Sequence, residues 1–132
     1  MQSLRTGLSV LMVLHGVAHL PGFVNSWRLA VFPDLPYHTT LLAGRLEIGD
    51  AGMRVVGALW LAAALGFCVA GAAGLAQRGG WVPLAMIVAA VSATLCVLEW
   101  PAARIGLWVN LAILLVLAAA LRLGWLNAPP AT

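Results

Sequence analysis

The sequence predicts an all-α protein, an antiparallel four-helix transmembrane bundle with a long, partly interfacial loop between its first two helices. Three observations carry that expectation. Apolar residues make up 63% of the 132 residues and charged residues only 8%, where a soluble domain carries about 25% charged residues. So few charges cannot clothe a water-soluble surface. The apolar residues also gather in long unbroken runs, as a helix needs when it crosses a hydrocarbon core with about 20 mostly apolar residues. Finally, no segment alternates apolar and polar residues over the roughly ten positions of a membrane β-strand.

The first span is expected from Thr6 to Val24, with His15 and His19 as its only ionisable groups. Arg5 ahead of an apolar run looks like a secretory leader. However, the two histidines fall in or just after its apolar region and no small-residue cleavage site follows, so cleavage is not expected. The second span, Val55 to Gln77, holds no charge. The third runs from Trp81 to Leu98, and the fourth from Ile105 to Leu121, with Arg122 able to snorkel outward. The whole chain, 1–132, reads as one domain.

The connections are unequal. Arg78-Gly79-Gly80 makes a tight turn between spans two and three, and Glu99 to Arg104 joins spans three and four, with Pro101 ending the third helix. Short links place sequence neighbours antiparallel. The first connection, Asn25 to Arg54, is long enough to be functional or to hold structure of its own. Trp27, Leu29, Val31, Phe32, Leu35 and Tyr37 alternate there with Arg28, Asp34 and prolines, a composition that settles at the headgroup level. Leu41 to Arg54 is expected to begin helix two before it enters the hydrocarbon. Glu47, Asp50 and Arg54, at i, i+3 and i+7, would then share one stripe.

Small residues predict helix contacts. Ala58, Ala62, Gly66, Ala70 and Gly74 recur every fourth position in span two, as do Ala85, Ala89 and Ala93 in span three. In lipid such residues let backbones approach. Bundle packing is expected ahead of a seam with a second copy. Asn110, on the face of Gly106, is expected to point inward. Trp81, Trp100 and Trp125 sit at span ends as interface anchors, while Trp60 and Trp108 are expected to face lipid rather than a pocket. The two cysteines, Cys68 and Cys96, differ in depth by roughly 9 Å at 1.5 Å per residue. That is too far for a disulfide, and they read as small apolar fillers.

All seven basic residues are Arg, and they form no nucleic-acid patch. Arg5, Arg78 and Arg122 lie on the side of the termini, and Arg28, Arg45, Arg54 and Arg104 on the other, together with all four acids, Asp34, Glu47, Asp50 and Glu99. Pairing between those acids and arginines favours termini in the cytoplasm under the positive-inside rule.

Every acid and every histidine therefore gathers at the loop end of the bundle. Ionisable groups at membrane depth mark function by default. His15 and His19, at i and i+4, share a helix face and leave three readings open. In the first, each simply bonds a carbonyl or carboxylate and locks helices. The pair could instead contact a proton or substrate. Or it could ligate a metal with Glu99, Asp50 or His38. A same-face pair cannot ligate both sides of a haem, and no other span holds a histidine, so an intramolecular bis-His haem is not expected. Glu47, Asp50 and Glu99 facing Arg54 and Arg104 read either as ion pairs pinning helix ends or as a polar pocket under the Trp27–Tyr37 loop. Such a pocket would accept a quinone ring, a lipid headgroup or another small amphiphile. The residues expected to line it are His15, His19, Glu47, Asp50, Arg54, Glu99 and Arg104.

Two phrases resemble a known pattern. Leu14-His15-Gly16-Val17-Ala18-His19-Leu20-Pro21-Gly22-Phe23, followed by Leu42-Ala43-Gly44-Arg45-Leu46-Glu47-Ile48-Gly49, resembles the DoxX-like family of small four-helix bacterial membrane proteins over residues 1–75. The Lys-free composition also resembles actinobacterial four-helix membrane proteins. The resemblance implies a membrane subunit or accessory protein, in some members linked to quinone-coupled oxidation of small sulfur compounds, with Glu47 as the family-type acid at the entry to helix two. The paired histidines and the Glu99-Trp100-Pro101 turn depart from that pattern. The alternatives are a small four-helix transporter, although span one lacks the carboxylate such exporters carry, and a structural partner of other membrane subunits. A bacterial cytoplasmic membrane is the expected location.

Overall fold

A computed structural model of the chain describes residues 2–126. Met1 and residues 127–132 of the single-domain reading lie outside the described part. The elements run α1 (Gln2–Val17), α2 (Leu20–Ser26), β1 (Thr40–Leu41), β2 (Leu46–Glu47), α3 (Gly49–Leu75), α4 (Trp81–Leu98) and α5 (Arg104–Arg122). Gln2–Ser26 counts as one stretch, so that four helical segments among the described residues are long and apolar enough to cross a membrane. The all-α four-helix bundle is what the sequence predicts. The principal packing runs α1 and α2 on α3, α3 on α4, and α4 on α5, which leaves α1 and α5 at the two ends of a curved row.

The first span is not one straight helix. Pro21 has no N–H to donate, and its ring clashes with the carbonyl four residues back, Val17. The helix accordingly stops at Val17 and restarts at Leu20, through short-range bonds from the His19 N–H to Gly16 O (3.1 Å) and the Gly22 N–H to His19 O (3.1 Å).

The small-residue stripe of span two also needs correction. Four residues turn about 40° more than a full turn of an α-helix, so a fourth-position stripe walks off any face. Ala58 and Ala62 are exposed, and only Ala70 and Gly74 at its far end are buried. The face that meets the first span recurs every seventh residue, a drift of only about 20° per step. Gly57 lies against Ser26 and Trp27, the carbonyl of Ala64 against Gly16, and Gly71 against the Ser9 carbonyl and Val13.

Two apolar clusters form the core. Toward the termini, Met12, Phe67, Ala85, Ala89, Ile113 and Leu117 pack together. Toward the loop, Leu41, Met53, Trp60, Leu95 and Cys96 do the same. Both cysteines are free.

The long connection is ordered, but residues 41–48 do not begin a helix as predicted. Thr40 pairs with Glu47 and Leu41 with Leu46 in a two-rung antiparallel hairpin. Leu42, Ala43 and Gly44 at its tip adopt left-handed backbone, and Gly49 does so just before α3. The hairpin is held because its tip caps a helix end. The N–H groups of Leu42 and Ala43 donate to the carbonyls of Leu98 (2.7 Å) and Trp100 (3.0 Å), two acceptors that the C-terminus of α4 cannot satisfy within the helix. Leu41, buried in the loop-end core, anchors the other side. Further clamps reach α3. The Trp27 indole N–H donates to Arg54 O (3.0 Å), Arg28 pairs with Asp50 (2.5 Å), and the Tyr37 hydroxyl donates to Asp50 (2.7 Å). Arg28 also stacks over the Tyr37 ring at 4.1 Å. The loop is therefore a fixed lid over one end of the bundle.

Candidate functional site

Between the two apolar clusters lies a closed set of polar side chains. The break after Val17 leaves the His15 carbonyl free to accept from His19 Nδ1–H (2.7 Å). With neutral rings, that bond makes His19 Nε2 the lone-pair nitrogen, and the Ser92 hydroxyl donates to it (2.5 Å). Ser92 Oγ in turn accepts from Asn110 Nδ2 (2.8 Å), whose second hydrogen points to Cys96 Sγ (3.6 Å). Asn110 Oδ1 then accepts from His15 Nε2–H (3.1 Å). One direction of donation satisfies every bond in the circuit, which links α1, α4 and α5. Ser92 and Asn110 have no exposed surface, and leaving such groups unpaired would cost roughly 1–3 kcal/mol each. The histidines are wedged as well as bonded. Their rings meet edge to face at 4.5 Å, His15 packs on Phe67 at 4.8 Å, and His19 packs on Trp60 at 5.2 Å.

On the loop side of this circuit is a cavity of roughly 350 Å³, at the small end of the range for ligand pockets. Its floor includes His15, His19, Met53, Trp60, Cys96 and Glu99, and its outer rim Ala18, Pro21, Ala102 and Ile105. Asn25 and Ser26, at the end of α2, add an amide and a hydroxyl to the wall. No family model, curated protein or solved structure matches this chain. The chemistry must be read from the site itself.

Glu99 is its most unusual member. Only 8% of the residue is exposed, and its Oε1 is one of two buried side-chain oxygens among the described residues, with Ser9 Oγ, that lack a hydrogen-bond partner. Its other oxygen, Oε2, stands 3.3 Å from His38 Nε2, while His38 Nδ1–H donates to Thr40 O (2.8 Å). Burial pushes the Glu99 carboxyl above the ordinary carboxylate range, and the neighbouring His38 partly opposes this. Both Glu99 and His38 also face a second, outer groove lined by Asp34, Trp100 and Arg104. The pair thus forms a wall between the inner cavity and the outer groove.

The structure divides the seven residues predicted for the site. His15, His19 and Glu99 line the cavity, whereas Arg104 lines only the outer groove. Asp50 faces the loop and is taken by Arg28 and Tyr37. Arg54 contributes its backbone carbonyl to Trp27, and among the described residues neither Arg54 nor Arg104 pairs with an acid. Glu47 does not share a helical stripe with Asp50 and Arg54, because α3 begins only at Gly49. It is an exposed residue of β2 whose Oε1 accepts from the Gly49 N–H (2.8 Å). His19 uses both ring nitrogens on protein partners, and no three His, Cys, Asp or Glu side chains among the described residues form a set able to hold an ion.

Sequence reasoning missed Ser92, Trp60 and the pairing of His38 with Glu99. Ser92, Cys96 and Glu99 are spaced i, i+4 and i+7, one stripe of α4, and that pattern was available to find the first. Trp60, expected in lipid, is 7% exposed, while Trp108 is 65% exposed. The cavity accounts for the difference. No local pattern distinguishes these two tryptophans, since each sits within an apolar span.

Proposed function

We propose that this chain is a membrane-embedded binding protein, a DoxX-like subunit or accessory protein that holds a quinone, a lipid or another small amphiphile in the loop-end cavity. One observation carries the reading. An apolar chamber at the end of a bundle of membrane-spanning length is lined by a buried carboxyl group, that of Glu99, next to a closed histidine circuit. A carboxyl group buried beside a cavity, with few polar groups converging on it, is the arrangement a small amphiphile's polar head would use. The lid shields the chamber from the membrane surface, and the proposed setting is a bacterial cytoplasmic membrane with both termini in the cytoplasm. Other membrane subunits or a second copy remain the proposed protein partners.

The test is extraction and mass spectrometry of small molecules from detergent-purified protein, followed by rebinding of decylubiquinone and of a short-chain phospholipid. Wild-type protein should retain a stoichiometric amphiphile or rebind one of the two probes. His19→Ala and Glu99→Ala should each weaken that binding while keeping the helical circular dichroism. Unchanged affinity in both variants, or no retention and no rebinding by the wild type, overturns the reading.

A further inference from the structure

The cavity reading leaves the ligand's headgroup open, and the direction of the histidine circuit narrows it. Neither circuit histidine bonds an acid, so both rings are neutral at a depth where an uncompensated charge is costly. The His15 carbonyl only accepts, so His19 Nδ1 carries a hydrogen (2.7 Å). His19 Nε2 is then bare, and the Ser92 hydroxyl must donate to it (2.5 Å). With its hydrogen spent, Ser92 Oγ can only accept from Asn110. That fixes the amide with Nδ2 toward Ser92 (2.8 Å) and Oδ1 toward His15 (3.1 Å). His15 therefore keeps its hydrogen on Nε2, and its Nδ1 is a bare lone pair. Trp60 supplies the opposite group, because its indole N–H has no acceptor among the described residues. His15 and Trp60 are only 8% and 7% exposed. Even so, the side-chain nitrogens and oxygens that are both enclosed and unpartnered are Ser9 Oγ and Glu99 Oε1 alone. His15 Nδ1 and Trp60 Nε1 consequently keep open surface, and both residues line the cavity. Both rings pack on His19, at 4.5 Å and 5.2 Å, so the free acceptor and the free donor are neighbours.

We propose that the cavity selects a neutral amphiphile headed by a carboxamide or an undissociated carboxylic acid. Its N–H or O–H donates to His15 Nδ1, and its carbonyl accepts from the Trp60 indole N–H. This rests on the binding function proposed above and adds the headgroup. Such a head carries donor and acceptor on one carbon, as two neighbouring protein groups of opposite kind on different helices require. A quinone, an ester or a carboxylate anion only accepts, and would set lone pair against lone pair at His15. An ammonium head only donates, and would leave the Trp60 N–H unmatched. The route in is lateral. The exposed rim residues Ala18 and Pro21 belong to the first span and Ile105 to α5, so the apolar tail leaves between these two helices. The chamber of roughly 350 Å³ takes the head.

The experiment compares dodecanamide with methyl undecyl ketone, which keeps the carbonyl and the tail but replaces the amide nitrogen by a methyl group. Binding to the detergent-solubilised full chain is read as occupancy by native mass spectrometry, with circular dichroism as the check on folding. Wild type should bind the amide about tenfold more tightly, the worth of one hydrogen bond to a buried acceptor. His15→Phe should bring that preference to about unity by weakening the amide alone. Trp60→Phe should weaken both compounds by a similar factor and leave the preference in place, since both present the carbonyl. The Trp60 change does not touch the circuit, so its result decides even where His15→Phe unfolds the chain. Three results overturn the head assignment and leave the cavity reading standing: equal binding by wild type, a preference that survives in folded His15→Phe, or unchanged affinities in Trp60→Phe. Binding of neither compound by wild type overturns the head assignment and counts against the cavity reading as well.

Discussion

Gly16 on α1 crosses Ala64 on α3 so closely that a side-chain carbon built at Gly16 would stand 2.7 Å from the Ala64 carbonyl oxygen. Backbone cannot yield as a flexible side chain can. The same holds one crossing away, where a carbon on Gly71 would stand 2.6 Å from the Ser9 carbonyl. Gly16→Val and Gly71→Val should each destabilise the bundle by at least about 1–3 kcal/mol, the usual cost of overpacking a close contact. Gly7, with open space around it, is the control. Gly7→Ala should leave stability equal or slightly higher, as Ala is the better helix former. Thermal denaturation in one detergent measures all three.

The circuit through His15, Asn110, Ser92 and His19 should behave as a unit. Asn110→Leu removes the acceptor of His15 and the donor to Ser92 together. Hydrogen bonds between helices in membranes are worth about 0.6 kcal/mol on average. Stranding buried partners raises the cost, so a loss of about 1–3 kcal/mol is expected. Ser92→Ala added to Asn110→Leu should then cost less than the sum of the two single changes, because the first break has already spoiled the shared bond. Strict additivity in a double-mutant cycle would show that the side chains act independently.

Stability should fall as pH rises through the Glu99 titration. The folded-state carboxyl lies above its ordinary value of 4.5 because burial disfavours the charge. Between the ordinary and the raised value the folded chain therefore binds more protons than the unfolded chain, and unfolding becomes easier with each step up in pH. Below that window both states are protonated at this site, and above it both are ionised, so the contribution is flat on either side. The check is the midpoint of thermal unfolding against pH for wild type and Glu99→Gln. The difference between the two curves should decline across that window. A difference that is constant or increases with pH would contradict the assignment.

Much of the architecture is legible in the residues because lipid imposes a simple rule. Each buried backbone group must be bonded within its own helix, and long apolar runs free of charge announce where this happens. The break in the first span was legible too, since Pro21 excludes an unbroken helix, although the prediction ran straight through it. For the site, His15, His19 and Glu99 stood out as ionisable groups at one end of the bundle. Asp50, Arg54 and Glu47 stood out equally, and yet they turn to the lid or to solvent. Charge type and rough depth can be read from sequence, whereas the direction a side chain faces depends on where its helix starts. Once α3 begins at Gly49, the stripe that was to join Glu47 to Asp50 is gone.

Sequence alone determined the solvent, the number and approximate limits of the spans, and the end of the bundle where titratable groups collect. These depend on composition summed over many residues, so small errors in register do not matter. Only the tertiary structure decided that the first connection folds as a hairpin capping α4, that Trp60 turns inward, and that Glu99 meets His38 with one oxygen and nothing with the other. Each of those depends on the rotation and registry of neighbouring helices, where a single residue turns a side chain by about 100°.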